Sequence, residues 1–118
     1  MKIGIIGSRT FNNYELLKEV MSDYIYQGSL LDCELVVSGG ANGADKLGEK
    51  WAKENGIPTL IFKPDWNKYG KSAGFIRNED IIKNSDFVVV FWDEVSKGTK
   101  SSIDLAIKHD IPVRIVTF

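Results

Sequence analysis

The chain has almost none of the residues from which disulfide and metal sites are made: one cysteine, Cys33, and one histidine, His109, in 118 residues. A single thiol cannot build a disulfide framework. One His with one Cys assembles neither a tetrahedral zinc site nor a Ser-His-Asp triad. Cys33 lies in the short polar approach to an apolar run and reads as an incidental thiol of a reducing compartment rather than a nucleophile. His109 falls at the far end of the last helix-length segment, where a cation suits the negative end of the dipole. A surplus of positive charge is also missing. Fifteen Lys and Arg stand against sixteen Asp and Glu, a net charge of −1, whereas a protein that grips nucleic acid through its phosphates carries a basic excess. No apolar stretch approaches the roughly 18 residues of a membrane span, and Met1 runs into Ile3–Ile6 without a basic leader or cleavage site. A cytoplasmic protein with no membrane partner is expected. Of only three prolines, two sit in matching pairs, Ile57-Pro58 and Ile111-Pro112. Each reads as a helix-to-strand turn, where the missing N–H does least harm.

What is present suits one core: 43% hydrophobic and 26% charged residues, in a length that fits a single domain over 1–118. Five apolar runs recur, at Lys2–Ile6, Leu35–Val37, Thr59–Phe62, Phe87–Trp92 and Val113–Thr117. Their unbroken character predicts strands buried on both faces. Between them lie helical stripes: Tyr14, Leu17, Val20, Met21 and Tyr24; Leu47, Trp51 and Ala52; Ile103, Ala106 and Ile107. The alternation predicts an α/β fold, a three-layer Rossmann-like sandwich with a five-stranded parallel sheet and helices on both faces. The stretch Asp65–Gly74 lacks a period and reads as a longer loop, with Trp66, Tyr69 and nearby lysines as its notable residues.

Ligands of open α/β sheets collect where strands end and helices begin, so those junctions supply the candidates. After the first strand, Gly7-Ser8-Arg9-Thr10 offers close backbone approach, hydroxyls and a planar cation for phosphate, or else a tight turn with Thr10 or Asn12 as a helix cap. After the second, Ser38-Gly39-Gly40-Ala41-Asn42-Gly43-Ala44-Asp45 has three glycines in five residues before an amphipathic helix. Its amides and the helix N-terminus suit a phosphate. Asp45 is either a cap-like acid or a ribose contact. Arg77-Asn78, alone, reads by default as a solvated helix face. The fourth strand runs out through Asp93-Glu94 into Lys97-Gly98-Thr99-Lys100-Ser101-Ser102, a second hydroxyl-rich helix start and a candidate second phosphate cradle, or a Ser/Thr-capped helix. Trp66 and Trp92 either line a base pocket or pack.

Taken in order, Ile5-Ile6-Gly7-Ser8-Arg9, the Val37–Asp45 loop, Arg77-Asn78 and Lys97-Gly98-Thr99 resemble the SLOG superfamily. That Rossmann-like group includes the YspA-like proteins, LOG phosphoribohydrolases and the DNA-processing protein DprA. The YspA-like branch is the nearest match. The resemblance implies binding of a nucleotide or a derivative such as an ADP-ribose compound at the strand ends. It also shows a departure. LOG proteins carry Arg and Glu in a PGGxGTxxE pattern, whereas here Val95-Ser96-Lys97 precedes Gly98-Thr99 and Ser102 stands in place of the Glu. A serine cannot do a carboxylate's acid–base work.

Three readings follow. The favoured one is a sensor or sequestering domain for a nucleotide-derived molecule. In it Gly39, Gly40 and Gly43 give amides to phosphate, Arg9 and Arg77 neutralise charge, Thr99 and Ser101 add hydroxyls, and Asp45 or Asp93 reads ribose. Gly7, Ser8, Ser38, Asn42, Asn78 and Gly98 complete the expected contacts. No cofactor is required, though two phosphates would attract magnesium; a homo-oligomer is left open. The second reading is a phosphoribohydrolase-type hydrolase with Arg77, Asp93 and Glu94 as its catalytic groups. The third is a DprA-like single-stranded DNA accessory protein, against which the missing basic surplus argues.

Overall fold

The computed structural model describes residues 1–26 and 33–118, with side chains described for 1–23 and 33–118. Five strands, β1 (Lys2–Gly7), β2 (Leu35–Ser38), β3 (Thr59–Ile61), β4 (Phe87–Trp92) and β5 (Val113–Thr117), form one parallel sheet in the order β3-β2-β1-β4-β5. Each apolar run of the sequence is a strand, with its ends shifted by at most one residue. The helices are α1 (Tyr14–Tyr26), α2 (Ala44–Glu54), α3 (Trp66–Tyr69), α4 (Ala73–Lys83) and α5 (Lys97–Lys108).

Handedness explains the layers. The steps β1 to β2 and β2 to β3 cross the sheet in one direction, so right-handed connections put α1 and α2 on one face. The steps to β4 and β5 run the other way and put α4 and α5 on the opposite face. Two cores result. Ile3, Ile5, Val36, Val89 and Phe91 pack with Leu17, Met21, Trp51 and Ala52. Ile6, Val37, Val88 and Val90 pack with Ile81, Ile82, Ile103 and Ala106. Successive residues of β1 and β4 thus serve opposite cores, which is why these strands are apolar throughout. This is the three-layer α/β sandwich.

Four expectations need correction. First, β3 and β5 are the sheet's edges and are not buried on both faces: Leu60 is 37% and Ile115 37% exposed. Second, Ile107 is 63% exposed and lies outside the stripe assigned to it. Third, α1 is capped by neither Thr10 nor Asn12; Asn13 Oδ1 accepts from Leu16 N at 3.1 Å. Fourth, Asp65–Gly74 is not a loop. Asp65 caps α3 by accepting from Lys68 N at 3.1 Å, and a 3₁₀ turn over Gly70–Ser72 leads into α4. A single turn is too short to display a helical period, and Gly70, at φ 54°, breaks it. The side chain of Tyr24, expected in the α1 stripe, lies outside the described residues.

Candidate functional site

The chain leaves β1 toward one edge of the sheet and β4 toward the other, so the crevice beyond their carboxyl ends is the switch point of the topology. A pocket of about 390 Å³ opens there, inside the ~300–1,000 Å³ range of small-molecule sites. Gly7, Arg9 and Thr10 reach it from β1, Ala41 and Asp45 from the β2 loop and α2, Arg77, Asn78 and Ile81 from α4. Asp93, Ser96, Gly98, Thr99 and Ser102 close it from β4 and α5.

The glycine-rich loop is tied to the β1 turn by its own groups. Asp45, only 4% exposed, accepts from Gly7 N on Oδ1 at 3.2 Å and from Gly39 N on Oδ2 at 2.9 Å; Ala41 N also donates to it. Gly40 N donates to Ser38 Oγ at 3.2 Å, and Ser38 Oγ donates to Glu49 at 2.9 Å. The first amide of α2, Ala44 N, donates to Ser8 O at 3.3 Å. The Gly39 and Gly40 amides, expected to cradle a phosphate, therefore hold a carboxylate and a hydroxyl of the chain instead. Asp45 is the brace joining the two loops, and Ser38, Gly39, Gly40 and Gly43 stand behind the pocket wall.

Burial pushes the Asp45 carboxyl up to about 6, against the opposing pull of the Gly39 amide, the Arg77 charge and the Gly7 and Ala41 amides. Its folded pKa thus lies above the unfolded value, so the native state binds the extra proton between about pH 4 and 6. Stability from this group is fully present below that window and declines as pH rises through it. Two pKa units correspond to roughly 3 kcal/mol. The expected outcome is that urea unfolding free energies of the wild type and Asp45→Ala differ by about 3 kcal/mol more at pH 4 than at pH 7. An equal difference at both pH values would contradict the buried, strained carboxylate.

Arg77 is not a solvated face residue. It sits mid-helix, half-buried, with Nη1 donating to Gly39 O at 2.9 Å and Nε to Asn78 Oδ1 at 2.9 Å. A Cβ on Gly39 would lie 2.8 Å from Arg77 Nη1 and 2.8 Å from Asp45 Oδ2, so a side chain there would have to push both charged groups aside. Burial lowers the Arg77 pKa, the Asp45 charge raises it, and the nearby Arg9 charge lowers it. Two guanidinium groups, one anchored and one exposed, thus face the same hollow.

Across the pocket, Asp93 Oδ1 accepts from Val95 N at 2.9 Å and Ser96 N at 2.7 Å, and Oδ2 from Thr10 Oγ1 at 3.4 Å. The Ser96 and Val95 amides hold its pKa below the usual carboxylate value. Ser96 caps α5, accepting from Thr99 N at 3.4 Å. The Gly-Thr-Lys-Ser-Ser run therefore forms the first turns of α5. Ser8 Oγ accepts from Asp93 N at 3.2 Å and lies 3.3 Å from Thr99 Oγ1, linking β1, β4 and α5 just under the pocket floor.

Several expected residues lie elsewhere. Asn42 is exposed and Glu94, also exposed, does not line the pocket. Ser101 lines a separate hollow with Phe75, Lys97 and Leu105 on the outer side of α5; its neighbour Ser102 is the one that faces the pocket, with Oγ donating to Gly98 O at 3.3 Å. Thr10, Ala41 and Ser102, which belong to the candidate junctions, also line the pocket, and Ile6, Ile81 and Ser96 are lining residues absent from the expected contacts. The Ser-x-x-Thr spacing of a capped helix marked Ser96; nothing local marked Ile81. Trp92 packs, its Nε1 donating to Ser96 O at 3.1 Å. Burial raises the Cys33 thiol's pKa, leaving it a poor nucleophile. His109 closes α5 and lies 3.5 Å from Glu79. Among the described residues no group of three His, Cys, Asp or Glu could hold a metal ion, and no helix is long and apolar enough to cross a membrane.

A Mycobacterium phage D29 protein, the gene 61 protein, is 29% identical over 118 residues, spanning 95% of this chain and 93% of its own length. No solved structure matches. Residues 1–69, from β1 through α3, match the model of the YspA, cpYpsA-related SLOG family. That span holds both the β1 turn and the glycine-rich loop with its braced Asp45, and the chain belongs to this family.

Proposed function

We propose that the switch-point pocket binds a nucleotide or a nucleotide-derived phosphate compound, and that the chain is a binding domain rather than a hydrolase. The observation that carries this reading is the pair Arg9 and Arg77 converging on one pocket. Two guanidinium forks in a confined hollow are the usual answer to a phosphate or pyrophosphate. Asp93, Thr10 and Thr99 on the opposite wall suit ribose hydroxyls.

The carboxylates argue against hydrolysis. Both oxygens of Asp93 already accept hydrogen bonds, and its lowered pKa keeps it ionised, with no proton to give, near neutral pH. Glu94 is exposed and away from the pocket, and both oxygens of Asp45 hold backbone amides. Both pocket carboxylates, Asp45 and Asp93, are thus already engaged by the protein's own donors rather than held ready for a departing base. Magnesium would enter only with the ligand's own phosphates, and an acidic balance overall does not favour long nucleic acid.

The test is a thermal-shift panel of nucleoside monophosphates, ADP-ribose, NAD, cyclic ADP-ribose, ribose 5-phosphate and a short oligonucleotide. At a hundred times its dissociation constant a ligand adds about 2.7 kcal/mol, a rise of roughly 10 °C for a domain this size. One nucleotide class is expected to give that rise, to lose it in Arg9→Ala, and to be recovered without base release. Catalytic base release would transfer the assignment to the hydrolase reading. No shift with any compound, from a protein that melts cooperatively, would overturn the nucleotide assignment.

A further inference from the structure

We propose that the base of the bound nucleotide stacks on Trp66, in a shallow subsite that continues the pocket past Arg77 toward β3; this rests on the pocket's taking a nucleotide. The three tryptophans occupy different surroundings. Trp51 is 4% exposed in the core, and Trp92 is half-buried and hydrogen-bonded to Ser96 O. Trp66 is 57% exposed. A single exposed aromatic is ordinary, so its position has to carry the argument.

Arg77, Asn78 and Ile81 face the pocket from α4. Gly74 lies three, four and seven residues before them, on the same helical stripe. One edge of the Trp66 indole lies beside that glycine: a Cβ on Gly74 would stand 3.7 Å from Trp66 Cη2, in ordinary contact. At 1.5 Å rise per residue, the shelf begins about 5 Å along the helix from Arg77.

The facing loop has the same character. Gly40 adds no side chain, and a Cβ there would lie 3.0 Å from Cγ2 of Ile61, itself 36% exposed. Gly40 follows Gly39, whose carbonyl Arg77 holds. Beyond Arg77 the chain thus carries no side chain at Gly40 or Gly74; the exposed Trp66 stands beside Gly74, and Ile61 and the stem of Lys63, whose Cγ would lie 4.0 Å from a Gly40 Cβ, stand beside Gly40. Such a surface suits a flat heteroaromatic ring. The partners proposed for the sugar and the phosphate, the two arginines and the hydroxyls, lie inside the pocket.

The experiment compares AMP with ribose 5-phosphate on the full chain, by calorimetry and tryptophan emission. AMP is expected to quench the exposed indole, while ribose 5-phosphate leaves the emission unchanged. Trp66→Ala should weaken AMP by roughly 5- to 150-fold, the range of base–aromatic stacking, and change ribose 5-phosphate by less than about twofold. Trp66→Phe should restore most of the AMP affinity. If AMP binds the wild type and Trp66→Ala equally, or if ribose 5-phosphate loses as much as AMP, stacking is wrong and the nucleotide reading stands. If the wild type binds neither AMP nor ribose 5-phosphate and no other nucleotide, both fall together.

Discussion

In Arg77→Ala, affinity for the preferred nucleotide is expected to fall by at least about 30-fold, since a charge-assisted phosphate contact of about 2 kcal/mol or more is lost. The same change should destabilise the fold by roughly 2–3 kcal/mol at pH 7. It removes the donor to Gly39 O and the cation beside Asp45, leaving a buried charge with less compensation. The two effects separate in Arg77→Lys, which keeps the charge but not the planar fork. A double-mutant cycle of Arg77→Ala with Asp45→Ala should give a coupling of about 1–2 kcal/mol at pH 7. It should shrink toward pH 4, where the Asp45 carboxyl, with its pKa near 6, is protonated. Additive losses at both pH values would mean that the two residues act independently.

Gly43→Ala is expected to be the most damaging substitution in the glycine-rich loop, by about 3–5 kcal/mol, with a midpoint lowered by roughly 12–20 °C. Gly43 has φ 86°, a region costly for a residue with a Cβ. The α2 amide bonded to Ser8 O draws the loop against the β1 turn. An added methyl would stand 2.6 Å from Arg9 O and closer still to Ser8 O, both rigid backbone. Gly98→Ala is the contrast. Nothing lies within 4 Å of its Cβ position, and inside the first turn of α5 alanine should stabilise by about 0.5–1 kcal/mol. Urea midpoints of the two variants should move in opposite directions. Similar losses in both would mean that the backbone contact at Gly43 is not what selects glycine there.

The sheet was legible because each strand is a separate apolar run, and chain order with the handedness rule assigns the helices to faces. The glycine-rich loop was legible as a special place but not for what it does. Its composition fits a phosphate cradle, yet Asp45, next to the cluster, closes the amides, and only the folded chain shows which way a carboxyl points. Arg77 was harder. Its partner Gly39 is 38 residues away, and no local pattern distinguishes an anchored arginine from one waving in solvent. Ser101 and Ser102 differ by one residue, hence by about 100° around α5, so they line different hollows, and the Ser-Ser pair alone does not tell which of them faces the pocket. The α3 turn was hidden by its shortness, and β3 and β5 read as buried because apolar composition does not distinguish an edge strand from a central one.

Those two edges bear on how copies of the molecule can meet. An unpaired strand edge is a template for another chain's backbone, and proteins blunt it with brevity, proline or charge. Here β3 offers only three residues, directly after Pro58. The other edge, β5, follows Pro112 and carries the exposed Arg114 in its second position. Sheet extension from one copy to the next is thereby discouraged at both ends, and any self-association is steered to the helical faces, where side chains rather than backbone amides would set the fit.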